Sequence, residues 1–391
     1  MKSGKISQAV YDRSVFRPLK RSGRLDPGVF YGADSCSFAA VSCGPVCGPF
    51  DPFVSMRIAE AVNNLAVDGV KASDCRILTG ITVPAGIVFS EDALKDLVTE
   101  IGDCCACWNL TLAGGHTECS DALTRPVLTV SAYVPDSSSK AGTAAFAVDG
   151  NDSALPASDS SKAGAVEFAV NGNDSAWSAS DSSKAGAAAF SAHGSGGTGE
   201  LFPGWDFSSA GLYMAGRAGF AGSAVLAENF REKLRERFPL SMIDAARMDP
   251  EDLFLFKKAA AALEAGAVFM KDVSRGGIFG ALWEFAGKLQ CGFEVDLKKI
   301  PIRQETIEIC EYFDLNPYQL YGQGAILAAV PEKDGERSCA EGRDLLRRAG
   351  FQRIGRLSAG RAKIIRNGEE IRYLEKAQQD ALNLLAEREQ V

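Results

Sequence analysis

Between residues 136 and 198 the chain offers almost nothing to bury. The stretch is built mainly from Ser, Ala, Gly, Asp and Asn, with one Phe in each copy of a repeat (Phe146, Phe168, Phe190). Ser-Ser-Lys-Ala-Gly recurs with its lysine at Lys140, Lys162 and Lys184, and Asn-Asp-Ser-Ala recurs at Asn151 and Asn173. The spacing of about 22 residues lies in the range of repeat arrays. A solenoid of such copies would have to offset roughly 1–2 kcal/mol of ordering entropy per residue with a few alanines and valines and a ring. The stretch therefore reads as an expanded linker, tolerated because closure entropy grows only logarithmically with loop length. It divides the chain into a first domain over residues 1–135 and a second over 199–391.

Both flanks alternate strand-like and helix-like stretches. The first half reads as a strand at 28–33, a helix at 54–66, a strand at 76–83, a helix after Ser90, and strands at 109–113 and 126–134. Ala93, Leu94, Leu97, Val98 and Ile101 fall at helical spacing behind Ser90, a residue suited to the N-cap. In the second half helices are expected at 223–237, 250–265, 278–287, 304–313, 340–349 and 374–388. The segment 250–265 has Asp249 before it, Pro250 at its first position and Gly266 past its end, the expected asymmetry of start and stop residues. The fold class is α/β or α+β with two domains.

With 391 residues, 46% hydrophobic and 24% charged, two proper cores are affordable. A net charge of -8 argues against nucleic acid as a main partner. No apolar run reaches the roughly 18 residues of a membrane span, and the start lacks a signal-peptide core. A cytoplasmic location without a membrane partner is the expectation. Eight of the eleven cysteines lie in the first third. Cys104-Cys-Ala-Cys107 holds a Cys-x-x-Cys spacing that suits half a zinc or redox site, but at the end of an amphipathic helix these thiols also serve as small buried hydrophobes of a reduced protein.

Two glycine-marked segments carry chemistry. Residues 108–119 contain a short apolar alternation and then Gly114, Gly115, His116, Thr117 and Glu118. The strand is expected to run out at Gly114. A Gly-Gly-x-Thr-Glu turn at a strand end offers backbone N–H groups to phosphate and hard oxygens to its Mg²⁺, although plain structural turns share the pattern. Residues 267–285 read as a buried strand, the polar turn Asp272-Val-Ser-Arg-Gly-Gly277, and a helix opening near Ile278. Free N–H groups in that first turn, with Arg275 beside them, suit a second anion. The bland alternative is a strand-to-helix connection with a surface arginine.

Taken together, Gly-Gly-His-Thr-Glu, Asp-Val-Ser-Arg-Gly-Gly with the following Phe-Gly-Ala-Leu-Trp-Glu, the stretch from Ile300 to Cys310, and Asn316-Pro-Tyr318 resemble the aminoimidazole ribonucleotide synthetase superfamily. The nearest branch is the hydrogenase-maturation-factor-like one. The resemblance implies a two-domain PurM-like fold, with N-terminal domains pairing into a β-barrel-like homodimer core and nucleotide bound between the domains. It implies ATP and Mg²⁺ as cofactors and phosphoryl activation of an oxygen on a small molecule or on a group borne by a partner protein. Such a transfer asks the protein mainly to position donor and acceptor and to neutralise phosphate charge.

By position in the family pattern, Asp34 is the first choice for a metal ligand, with Asp68 and Glu118 as further candidates. Asn63, Asn64, Gly114, Gly115, Thr117, Gly276 and Gly277 are assigned to the cofactor, and Asp272, Arg275 and His116 to catalysis. His116 reads equally as a hydrogen-bonded structural histidine. The chain also departs from the family. An acid before proline is Gly44 here, the Asn-Asp of the next helix is Asn63-Asn64, a family glutamate is Ala221, and a Ser-Ser-Gly turn is Gly322-Gln-Gly324. Asp68, one turn beyond Asn64, would have to replace the lost charge. The hydrogenase-maturation cysteine tail is absent, since the sequence ends Ala-Glu-Arg-Glu-Gln-Val391. A catalytically weakened nucleotide-binding or scaffold protein is therefore the competing expectation.

Overall fold

The computed structural model describes residues 10, 12–21, 35–36, 39–86, 89–135, 210–332, 337–375 and 379–389, all within one compact unit. The repeat segment, the strand expected at 28–33, and Asp34 lie outside these residues. The first half builds a five-stranded sheet in the order β1-β2-β5-β3-β4 from β1 (Ser35–Cys36), β2 (Ala39–Pro45), β3 (Arg76–Pro84), β4 (Thr111–Ser120) and β5 (Val127–Tyr133). Period-2 alternation sends Ile77, Ile81 and Val83 of β3 and Leu128, Val130 and Ala132 of β5 inward. Helix α1 (Val54–Ala66) covers that face and is buried on nearly every side. Helix α2 (Glu91–Cys107) buries only the stripe Leu97, Ile101 and Cys105, and Ser90 caps it by accepting the Ala93 N–H at 3.1 Å.

The second half forms a seven-stranded sheet in the order β12-β11-β8-β10-β6-β9-β7. Its strands are β6 (Ala210–Ala215), β7 (Phe269–Val273), β8 (Gly292–Asp296), β9 (Ala325–Pro331), β10 (Gln352–Ser358), β11 (Lys363–Asn367) and β12 (Glu370–Tyr373). Leu212 and Met214 of β6 meet one layer, with Ile278, Leu282 and Phe285 of helix α5 (Gly277–Leu289). Tyr213 and Ala215 face the other, with Ala259 and Ala262 of α4 (Phe256–Glu264) and Leu346 of α7 (Arg337–Arg348). Covered on both faces, β6 reads as a continuous apolar run. Helices α3 (Phe220–Asn229), α6 (Gln304–Tyr312) and α8 (Ala381–Glu389) complete the half. Their buried side chains share one core with α1 and the inner face of the first sheet.

Several expected boundaries move. The helix expected at 250–265 is two pieces, Pro250–Leu253 and Phe256–Glu264, separated by an extended Phe254. The reason is tertiary: the Asn63 amide donates to the Leu253 carbonyl at 2.8 Å and accepts the Leu255 N–H at 2.9 Å, taking groups a continuous helix would pair itself. The helix expected at 374–388 starts only at Ala381, behind strand β12.

Candidate functional site

The first glycine motif is not a turn. β4 continues through Gly114, Gly115, His116, Thr117 and Glu118 to Ser120, paired in parallel with β3 at the sheet edge. A bulge accounts for the glycines: the register slips between Ile77 and Leu78, where Gly114 takes a φ of 148°. Gly115 comes so close to β3 that a Cβ there would stand 2.5 Å from the Thr79 carbonyl oxygen. Glu118 accepts from the Thr82 hydroxyl at 3.3 Å and lies 3.5 Å from His116 Nε2, both side chains more than half exposed. The backbone N–H groups expected to cradle phosphate therefore belong to a strand, not to an open turn.

The second motif is a strand-to-helix turn, and its anion is already present. Gly276 and Gly277 take positive φ values of 82° and 60° before α5, and a Cβ on Gly277 would strike the carbonyls of Tyr318 and Leu320 at 2.6 Å. The Gly276 N–H donates at 2.7 Å to the carboxylate of Asp380, which also accepts the Leu382 N–H at 2.9 Å. A fully buried carboxylate from the C-terminal segment thus occupies the place assigned to an external anion. Burial raises the Asp380 pKa to about 6, with the Gly276 and Leu382 N–H groups and Arg275 offsetting part of that effect.

Asp272 is buried at the edge strand β7 and accepts from Lys271 Nζ at 2.8 Å, while the same ammonium lies 3.2 Å from Glu284. It is the partner of a neighbouring lysine, not a bare carboxylate. Asp68 lies past the last turn of α1, so the helical face expected to align it with Asn64 has already ended. Its charge reaches Lys288, together with those of Lys271, Asp272 and Glu284. Asn63, assigned to the cofactor, is fully buried with both ends of its amide on backbone. Its role is to clamp α1 to the second half. Asn64 donates to the Glu60 carbonyl at 2.7 Å and is partly exposed.

What the structure brings together is a charged junction between the halves, centred on Glu60 of α1. Glu60 accepts from the Ser42 hydroxyl at 2.5 Å and from Arg57 Nη1 at 2.6 Å, and its other oxygen lies 3.4 Å from Arg275 Nε. Arg57, on the same helix, is 1% exposed and also donates to the Pro45 carbonyl at 3.0 Å. Its guanidinium fills the space beside Gly44: a Cβ there would stand 2.8 Å from Arg57 Nη2. Arg275 lies over the Tyr321 ring, 5.8 Å from its centre. The buried Tyr321 hydroxyl stands beside the same carboxylate without reaching hydrogen-bond geometry with any described group. Burial pushes the Glu60 pKa up, but Arg275, then Arg57, and the Ser42 hydroxyl outweigh it and hold the carboxyl below its ordinary range. Asp51, ion-paired to Arg125 at 2.7 Å, also feels Arg57 and Arg275, yet burial keeps its pKa raised.

Of the residues named from sequence, Arg275 and Gly276 reach this junction, while Asn64 bonds only to the Glu60 backbone carbonyl. Arg57, Glu60, Ser42, Asp51, Arg125, Tyr321 and Asp380 were not anticipated. The available signal was an Arg and a Glu three positions apart inside a mostly apolar helix, a spacing that places both on one buried face. The described donors do not fit the expected Mg²⁺. Glu60 and Asp51 are taken by arginines, Asn64 offers one neutral oxygen, and Glu118 belongs to β4. Among the described residues no group of three or more His, Cys, Asp or Glu gathers closely enough to hold a metal ion.

Residues 211–366 match the family described as AIR synthase related protein, C-terminal domain. Carbamoyl dehydratase HypE of Rhodobacter capsulatus is 28% identical over 170 residues, covering 44% of this chain and 49% of that protein. The chain thus spans about half the length of this curated relative. Among solved structures, the hydrogenase maturation protein HypE in complex with ATP aligns with a TM-score of 0.56 and 14% identity over 97% of each chain. A HypE–HypF complex aligns with a TM-score of 0.57 and 12% identity, covering 93% of this chain and 99% of that one. Among the described residues no helix is long and apolar enough to cross a membrane. Residues 211–366 of the second half thus resemble the AIR synthase-related C-terminal domain, and the chain as a whole has the mixed α/β fold of the HypE structures.

Proposed function

We propose that this chain binds ATP at the junction of its two halves and uses it to activate an oxygen, on a small molecule or on a group presented by a partner protein. The observation that carries the reading is Arg275. The β7-to-α5 turn delivers a guanidinium, one quarter exposed, to the contact between the halves. It is held there by Glu60 and Tyr321, the kind of preset donor that stabilises phosphoryl charge without reorganising. Relatives described as a carbamoyl dehydratase, as an ATP complex and as a complex with a partner protein support the same class of chemistry. The proposal includes a homodimer formed through the first-half sheets. Equilibrium binding of ATP to the purified protein, followed by ADP release with and without candidate acceptors, tests it. No measurable ATP binding at millimolar nucleotide would overturn it.

A second reading has its own observation. Glu60, the buried acid of the junction, is locked between two guanidiniums and a hydroxyl, and Asn64 one turn on is an amide. A site so neutralised suits a protein that binds nucleotide as a scaffold and transfers phosphate slowly. ATP binding without ADP release, across acceptors, would favour it.

A further inference from the structure

We infer that the segment ending in α8 is a plug: Asp380 holds the anion position at the head of α5 in the unliganded protein, and a nucleotide phosphate takes that position only as α8 lets go. The inference rests on the nucleotide reading above and concerns how that site is regulated. Arg275 and Gly276 share one turn, so a phosphate drawn to the guanidinium also meets the Gly276 N–H. That N–H already donates to Asp380 at 2.7 Å. The turn itself reaches solvent, with Ser274, Arg275 and Gly276 all partly exposed, whereas the carboxylate seated on it is 5% exposed. One N–H cannot serve two anions at full strength, and like charges so close repel strongly where water is excluded.

Three carboxylates bear on Arg275, those of Glu60, Asp380 and Asp51, and they differ in how they are held. Glu60 belongs to α1, buried on nearly every side, and is fixed by Ser42 and Arg57. Asp51 has Arg125 at 2.7 Å. Asp380 is held by backbone N–H groups instead, those of Gly276 and Leu382 and, less strongly, Tyr321. Burial disfavours its charge, so at neutral pH it is ionised in surroundings that oppose ionisation. The Leu382 bond is the N-cap of α8 and travels with the helix, so the carboxylate keeps one partner when it leaves Gly276 and gains water. Helix α8 has nine residues, anchored by Leu382 and Leu385 in the core that includes Ile309 and Phe313 of α6. At its exposed far end Arg388 donates to the Asp314 carbonyl at 3.1 Å. Asp380 is thus the acid that can withdraw while α1 and its ion pairs stay in place. Because such coupling is reciprocal, a seated Asp380 weakens phosphate binding and bound phosphate loosens α8.

The test follows α8 and the ligand together in the full chain: hydrogen exchange over residues 379–389 without ligand, with ATP and with inorganic tripolyphosphate, beside equilibrium binding of each. ATP should speed exchange over that segment in wild type. Asp380→Asn, which keeps a side chain able to cap α8 and loses the charge, should bind ATP about tenfold more tightly than wild type. Leu385→Ala, which loosens α8 without touching the turn, should tighten binding several-fold and carries the comparison if the asparagine variant does not fold. Unchanged or slower exchange over 379–389 with ATP bound, or equal affinities in wild type and either folded variant, overturns the plug while the nucleotide reading stands. Exchange speeded by tripolyphosphate, with no ATP binding to any of the three proteins, overturns the nucleotide reading and leaves the plug. Binding of neither ligand overturns both.

Discussion

Asn63 spends both ends of its amide on backbone groups of the second half, and the break in the helix at Phe254 follows from that. Replacing it by alanine leaves the Leu253 carbonyl and the Leu255 N–H buried and unpaired, each worth about 1–3 kcal/mol. Asn63→Ala should therefore destabilise the protein by roughly 2–4 kcal/mol, read from urea denaturation with the slope unchanged. Asn63→Asp should do similar damage, because a carboxylate cannot donate to Leu253. A loss below about half a kcal/mol would show that the clamp does not hold the halves together. The pair Asn63-Asn64 was conspicuous in the sequence, but its division of labour was not. Adjacent helical positions point about 100° apart, so one asparagine enters the interface and the other stays partly exposed. Arg57 and Glu60 were hidden for a related reason: a helix buried on nearly every side has no polar face against which two charges stand out.

At the level of elements, periodicity served well where packing alone decides. The strands β3 and β5, the capped start and apolar stripe of α2 and the opening of α5 were legible because local pattern alone decides them. Boundaries failed where a distant group intervenes, as at β4. There the two glycines read as a strand end because a bulge and a close strand approach use glycine as a turn does. The head of α5 is the other case: nothing local announces that Asp380, more than a hundred residues on, supplies its anion. That contact carries a pH signature. The ordinary carboxylate value is 3.8 and burial raises folded Asp380 to about 6, so the folded state holds the proton more tightly than the unfolded chain. Its contribution to stability is full below the ordinary value, declines as pH rises through that window and is lost above about 6. Wild type should lose roughly 2 kcal/mol more than Asp380→Asn between pH 4 and pH 7. Parallel denaturation curves across that range measure it, and identical pH profiles for the two proteins would remove Asp380 from the account.

For the whole molecule, the first-half sheet poses a problem that the described residues leave unsolved within one chain. Helices α1 and α2 cover its inner face, but the outer face carries Val41 and Leu78 at 47% and 42% exposure, in a row that crosses Ser131 and ends at Gly114. Beside them β4 offers ten residues of unpaired edge, with Leu112 46% exposed. A long edge next to an apolar face is a liability in a lone protein, and a second copy laid against the same face removes it for both. The expected homodimer thus has a physical motive in this chain's own side chains, apart from any likeness to other proteins. It also gives β4 a purpose: its small Gly-Gly bulge and the exposed His116 and Glu118 lie on the strand that a partner sheet would meet. Light scattering should give the mass of two chains at micromolar concentration. Val41→Asp together with Leu78→Asp should give the mass of one chain while leaving the far-ultraviolet circular dichroism unchanged, since both side chains already point away from the core. A wild-type monomer, or a double variant that remains dimeric, would move the interface away from this sheet and leave β4 an edge in need of another partner.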